Sequence, residues 1–561
     1  MKPRIKNWVG LVVAIVALGL LAVPYRLTVS APQTDPAADA RAYDASVYDV
    51  KSFGAKGDGK TLDTPAINRA IDAAAAAGGG TVLFPAGNYL SVSIHLKSNL
   101  ALYLDHGATI VAANTSSDAK YDPPEPNEWD QYQDFGHSHF HNSLIWGENL
   151  TNVSILGPGM IWGKGLVRSG TQSRTQQQNE ALNAARAGEP KTPFGLPNPR
   201  DAVEPGWGNK AISLKLCRNV IIRDITIFHG GHFAILATGV DNLTIDNLKI
   251  DTNRDGIDVD ACKNVRISNC TVNSPFDDGI CPKSSFALGY ARATENVTIT
   301  NCQVSGYDEG TLLDGTYKRA FRNQNGTFSP TGRIKFGTES NGGFKNITIS
   351  NCVFDYCRGL ALETVDGGLL EDVAISNITM RDISNSPIFL RLGSRVRGPQ
   401  GTPVGALRRV NIDNVIVYNA EPRYASLISG IPGHDIEDLR LSNIRVYYRG
   451  GGTKEQAALE PPEKENDYPE PTMFGEMPAY GFFIRHVRGL EMSDVAVTNL
   501  KDDARPAFIL SDAKTVDLRN IKARHGQGVA SFILKDVEDF SLQQSQPLPD
   551  TKLASVKRQQ F

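Results

Sequence analysis

The stretch Asn242-Leu-Thr-Ile-Asp-Asn247 is followed by Asn264-Val-Arg-Ile-Ser-Asn269 and by Asn296-Val-Thr-Ile-Thr-Asn301. Each opens and closes on Asn and carries apolar side chains at alternate positions, the pattern of a strand with one buried face. Similar stretches start at Asn152, Asn219, Asn346 and Asp372, and shortened forms end at Asn414, Asn443 and Asn520. The starts at 219, 242 and 264 are 23 and 22 residues apart. A fixed period of that length with alternating apolar positions marks a solenoid of stacked coils. A β-sandwich would show hairpin turns and no constant period. The expected fold is therefore all-β, a single-stranded right-handed parallel β-helix. The recurring Asn would stack as ladders at a turn, each amide bonding the coil above.

Upstream, Asp63 or Thr64 followed by Pro65 reads as an N-cap and first-turn proline. Ala66, Ile67, Ile71 and Ala74 fall on one stripe, so a short helix is expected to cap the end of the core. Downstream the period stretches twice, where Tyr307 to Thr331 would bulge outward and at the Pro- and Glu-rich segment Glu455 to Tyr480. Long loops on one side of a rigid stack build clefts. The chain divides into 1–31, a signal peptide or N-terminal anchor, 32–46, a linker, 47–545, the β-helix domain, and 546–561, a C-terminal tail. Lys2, Arg4 and Lys6 precede an apolar run from Trp8 to Val23, as in a secretory signal. That run is short for a bilayer span, so an exported protein, periplasmic or extracellular, is expected, with any membrane contact confined to this segment.

The 561 residues carry a net charge of -3, which gives no basic field for nucleic acid. The seven Cys are an odd number. Cys270, Cys302 and Cys352 each follow the closing Asn of a repeat and read as buried packing residues. His137-Ser-His-Phe-His141 would place three imidazoles on one face of a strand, but no Cys or acid in the segment completes a metal set. No metal and no cofactor is expected, and the molecule is expected to be a monomer.

Thirteen residues after the Asn at 242, 264 and 296 stand Asp255, Asp277 and Glu309. Coils about 4.8 Å apart would stack these acids in a column, with Asp278 beside them. Carboxyls that close cannot all ionise at their free pKa, so one stays protonated while another remains charged. Cleavage of a glycosidic bond needs such an acid and base. His232, one repeat upstream, is a candidate substrate contact. Lys283, Arg333 and Lys335 are candidate cations for an acidic sugar, since alternation aims Arg333 and Lys335 at one face.

These residues resemble the polygalacturonases, glycoside hydrolase family 28. Asn253-Arg254-Asp255-Gly256 is similar to the family's Asn-Thr-Asp-Gly motif, and Asp277-Asp278-Gly279-Ile280-Cys281-Pro282-Lys283 to its Asp-Asp motif. The opening Phe53-Gly-Ala-Lys-Gly-Asp-Gly is similar to that of pectin-degrading β-helices, so the resemblance runs from about 48 to 535 and implies a pectin-lyase-like solenoid. It implies hydrolysis of a pectic backbone, polygalacturonan or rhamnogalacturonan, with inversion. Asp277 would protonate the leaving oxygen while Asp255 and Asp278 activate a water, their carboxyls roughly 6.5–9.5 Å apart. Asn253 and Glu309 would contact substrate.

Two departures stand out. Gly332 occupies the family's histidine position, and Ala361 and Glu363 occupy its Arg and Lys clamp positions. Loss of two cations and gain of an acid would weaken a galacturonate carboxylate at that subsite by about 1.5–3 kcal/mol per charge-assisted bond, which points to rhamnose or another neutral sugar there. A β-helix polysaccharide lyase and a non-catalytic carbohydrate-binding β-helix are the competing readings.

Overall fold

A computed structural model describes residues 46–134, 136–167, 206–319, 329–524, 526–546 and 548–561. The expected signal or anchor and the linker to residue 45 lie outside the described residues, as does 320–328 of the bulge after Tyr307. Among the described residues, no helix is long and apolar enough to cross a membrane.

The described residues of Ser46–Phe561 form one stack of parallel coils closed by an antiparallel last strand. Among the described residues, one long sheet network joins 29 strands, and a second sheet of six parallel strands comprises Ile94–His95, Ser143–Glu148, Lys210–Lys215, Phe233–Thr238, Asp255–Asp260 and Ile280–Lys283. The alternation read in the repeats is what the coils bury. Val220, Leu243, Val265, Val297, Ile347 and Val373 are in register from coil to coil and are all buried. Near the far end the same logic stacks Phe482, Phe508 and Phe532, with ring centroids 5.5 and 4.7 Å apart.

The Asn ladders form. Asn152 donates to Asn99, Asn219 to Asn152, Asn242 to Asn219, Asn264 to Asn242, Asn296 to Asn264 and Asn346 to Asn296. A second ladder climbs through Asn269, Asn301, Asn351, Asn377, Asn414 and Asn443. Every one of these Asn has φ between 53° and 59°. Asn tolerates this left-handed backbone better than other residues with a Cβ, so one residue type both turns the chain and bonds the next coil. Cys270, Cys302 and Cys352 follow the second ladder; all seven Cys are buried thiols without disulfides.

The helix spans Thr64–Ala76, with Asp63 as N-cap residue and Pro65 in its first turn. Ala66, Ile67, Ala70, Ile71 and Ala74 are buried in the same core cluster as Val82 and Ile94 of the first coils. Asp63 does not cap the helix through its side chain but accepts from the backbone of Lys56 and Gly57. The segment expected as a C-terminal tail is instead largely a strand. Thr551–Gln560 runs antiparallel to Phe532–Gln543 and covers what would be an open sheet edge at the last coil. It lacks the ladder Asn, so the repeat pattern does not reveal it.

Replacing Asn264, which donates to Asn242 and accepts from Asn296, by Ala forces a β-carbon residue other than Asn into the left-handed region and removes two ladder bonds. Equilibrium unfolding in urea is expected to show a loss of about 1–3 kcal/mol, and Asn264→Gly a smaller loss.

Candidate active site

The second sheet delivers the acids. Ile257 is in register with Ile280, and Gly256 N donates to Asp278 O at 3.0 Å. Asp278, not Asp277, therefore stacks on Asp255. The expected column of Asp255, Asp277 and Glu309 is corrected: the turn from Asn273 to Asp278 is one residue longer than the matching turn from Asp251 to Asp255. Glu309 lies on the excursion after Tyr307. There it accepts from Asn253 Nδ2 at 2.5 Å and pairs with His229 Nδ1 at 2.7 Å.

Asp255, Asp277 and Asp278 each place a carboxylate oxygen within 4.8 Å of the others. That is shorter than the separation of roughly 6.5–9.5 Å expected of an inverting pair, because Asp277 and Asp278 are chain neighbours and Asp255 comes from the adjacent coil. The three differ in surroundings. Asp255 is 3% exposed, and its Oδ1 is buried without a hydrogen-bond partner. Burial, with the Asp258 and Asp277 charges, holds its carboxyl well above the usual carboxylate range, and Lys283 and Arg254 only partly offset this. Burial also works against a charge on Asp278, but Lys335, Arg333, Lys283 and Arg358 outweigh it and hold that carboxyl well below the usual range. Asp278 accepts from Arg333 Nε at 3.0 Å and lies 3.2 Å from Lys335 Nζ. Asp277, a quarter exposed, pairs with Arg254 Nη2 at 2.5 Å. Three carboxylates this close could hold a divalent cation, but Arg254, Arg333 and Lys335 already meet two of their charges.

Arg333 and Lys335, read as substrate cations, are thus buried against Asp278. Lys335 is in register with Ala361, so the coil before Ala361 and Glu363 supplies the positive charge, and Glu363 lies beneath it, 3.9 Å from Arg333 and 3.8 Å from Lys335. Lys283 is buried between Asp258 at 3.7 Å and Glu339 at 3.4 Å and does not line the cavity. His232 stands beside Phe233, whose strand position matches Asp255. His137, His139 and His141 do not share a strand face. Each turns to its own acids: His137 to Asp258 and Glu339, His139 to Asp130, and His141 to Glu148.

Asp277 and Asp278 open onto a cavity of about 560 Å³. Its cations are Arg333, Lys335, Arg358, Arg395 and Arg397. Its acids are Asp134, Asp277, Asp278, Asp467 and Glu470, so formal charges balance. Tyr468, about half exposed, lies over Lys335 with Nζ 5.3 Å from the ring centroid. Asp134, Arg358, Arg395, Arg397, Tyr468 and Glu470 were not legible as site residues. The one signal was the Pro- and Glu-rich excursion, which supplies Tyr468 and Glu470.

Residues 47–193 match the family model described as rhamnogalacturonase A/epimerase, pectate lyase-like, and residues 203–306 match that of the right-handed β-helix region. A probable polygalacturonase of Vitis vinifera is 24% identical over 427 residues, 72% of this chain and 75% of that protein. An exo-poly-α-D-galacturonosidase of Dickeya chrysanthemi is 26% identical over 254 residues, 42% of this chain and 40% of that one. Among solved structures, a family 28 exopolygalacturonase of Yersinia enterocolitica has a TM-score of 0.62 at 19% identity, covering 85% of this chain and 79% of that one. A hyperthermoactive exopolygalacturonase of Thermotoga maritima has a TM-score of 0.56 at 19% identity, covering 81% and 91%. At that identity the structures speak to the fold, and the solenoid is a right-handed one.

Burial pushes the Glu363 carboxyl up to about 8 despite Lys335 and Arg333. A raised carboxyl favours the folded state while protonated, and that contribution is lost as pH rises toward its folded value. Glu363→Gln is therefore expected to melt close to wild type near about pH 5 and increasingly above it toward about pH 9, read by thermal unfolding.

Proposed function

We propose that this right-handed β-helix, related in sequence to the polygalacturonases, is an exported glycoside hydrolase that cuts a pectic backbone. The carrying observation is one acid cluster in two environments: Asp278 accepts from Arg333 and lies 3.2 Å from Lys335, which favour its carboxylate form, while Asp255, 4.8 Å away or less, is buried with an unpartnered Oδ1, which favours its acid form. Cleavage by water needs a base and a proton source at one site; Asp278 supplies the base from the cavity wall, and Asp255, buried behind it, the retained proton. Asp278 takes a proton from the water that attacks the anomeric carbon. The proton that burial keeps at Asp255 passes through Asp277, the exposed member, to the departing glycosidic oxygen, and the proton taken up by Asp278 restores the cluster. The net change is one C–O bond broken and the elements of water added.

Inversion is proposed because Asp278 is 2% exposed and tied to two cations, a poor position for a nucleophile bonding to a sugar carbon. Proton NMR of early products gives the anomer directly. Export rests on the N-terminal charged and apolar segment.

The purified chain incubated with polygalacturonate and, separately, with rhamnogalacturonan is expected to release reducing ends without the ultraviolet absorbance of an unsaturated product. Asp277→Asn and Asp278→Asn should each lower the rate by about 100- to 10,000-fold. Absorbance would show a lyase. Polymer binding unchanged in both variants, with no cleavage by wild type, would show a binding protein.

A further inference from the structure

Glu470 comes from the excursion 455–480, far from the repeats that carry the acids, yet its carboxylate is seated among the cavity's cations. Its Oε2 accepts from Arg333 Nη2 at 2.7 Å and from Arg358 Nη1 at 2.8 Å, and its Oε1 from Asn385 Nδ2 at 2.6 Å. Two guanidinium groups and an amide converging on one carboxylate is how a protein binds the carboxylate of a ligand. Here the protein fills that place itself.

The loop that carries Glu470 is tied down. Arg391 Nη2 donates to the backbone oxygens of Glu463 at 3.0 Å and Lys464 at 2.9 Å. Arg485 donates to Pro461 O at 3.0 Å and Pro462 O at 2.7 Å. Phe474, four residues beyond Glu470, is buried against Met477 and lies under both arginines, 5.3 Å from Arg391 and 5.1 Å from Arg485. A sugar carboxylate would have to displace an acid held at high effective concentration by this strap.

We propose that Glu470 is a built-in anion that sets the specificity of the cavity, so that the sugar bound against Arg333 and Arg358 is one without a free carboxylate, either a neutral sugar or an esterified uronate. This rests on the cavity being a sugar site, as in the proposed function. The absence of cations at the clamp positions Ala361 and Glu363 agrees with it, and so does the balance of charge around the cavity. A pectic backbone that alternates uronate with a neutral sugar, or one that is esterified, offers such a residue.

The test separates charge from ring shape by comparing galacturonic acid with its methyl ester as competitive ligands, in wild type, Glu470→Ala and Glu470→Asp. Wild type is expected to bind the ester more tightly than the acid. Glu470→Ala, which empties the carboxylate seat, should shift that ratio toward the acid by at least about tenfold, and Glu470→Asp should return it toward wild type. Thermal unfolding confirms that each variant is folded, and Glu470→Gln, which removes the charge but keeps the volume, serves if Ala is not. A ratio that does not move, or a wild type that prefers the acid, overturns the proposal. Because the readout is binding, it stands apart from the hydrolysis test: a chain that cuts no polymer would sink the proposed reaction and leave this ratio to be read.

Discussion

Everything in this molecule depends on the parallel coils being locked in register one strand spacing apart. Backbone bonds set the spacing, at about 4.8 Å, and the left-handed Asn of the two ladders fix where each coil turns. Stacking is indifferent to what the next position carries, so it can hold carboxylates at distances they would not choose in water. Asp255 and Asp278 are brought together in this way by neighbouring strands of the six-stranded sheet. The cost of crowding is met by charge, since Arg333 and Lys335 approach Asp278 from the following coil.

That same coil-to-coil geometry keeps cations beside the acids although the following coil carries none at Ala361 and Glu363. Ala361 and Glu363 stand where the family that the sequence resembles is expected to place Arg and Lys. In the preceding coil Arg333 and Lys335 line the cavity with their charge paired to Asp278. Their positive charge favours the Asp278 carboxylate, and the remainder is met by Glu470 from a distant loop. Positive charge near the acids is therefore no guide to an anionic substrate, because side chains of the protein already answer it.

The repeats made the architecture legible. Alternating apolar residues closed by Asn gave the solenoid, its core stacks and its ladders, because each depends on local sequence repeated at a fixed period. The acids Asp255, Asp277 and Asp278 were legible as a cluster, but their stacking order was not. A single extra residue before Asp278 shifts which acid sits over Asp255, and period arithmetic from the opening Asn cannot see a longer turn. Glu470 and Tyr468 were hidden for a different reason: a loop that departs from the period is placed by contacts such as those of Arg391 and Arg485, which no spacing announces. The final strand Thr551–Gln560 was hidden because it pairs antiparallel and so carries none of the ladder pattern.

The central claim is that water, activated at Asp278, ends up on the product. Digestion of a pectic polymer in water enriched in heavy oxygen, followed by mass spectrometry of the fragments, reads this directly. One heavy oxygen at each new reducing end, absent when Asp278 is replaced by Asn, is the result expected. Unlabelled fragments lighter by one water would contradict it, for they would show that the chain is broken by elimination and not by hydrolysis.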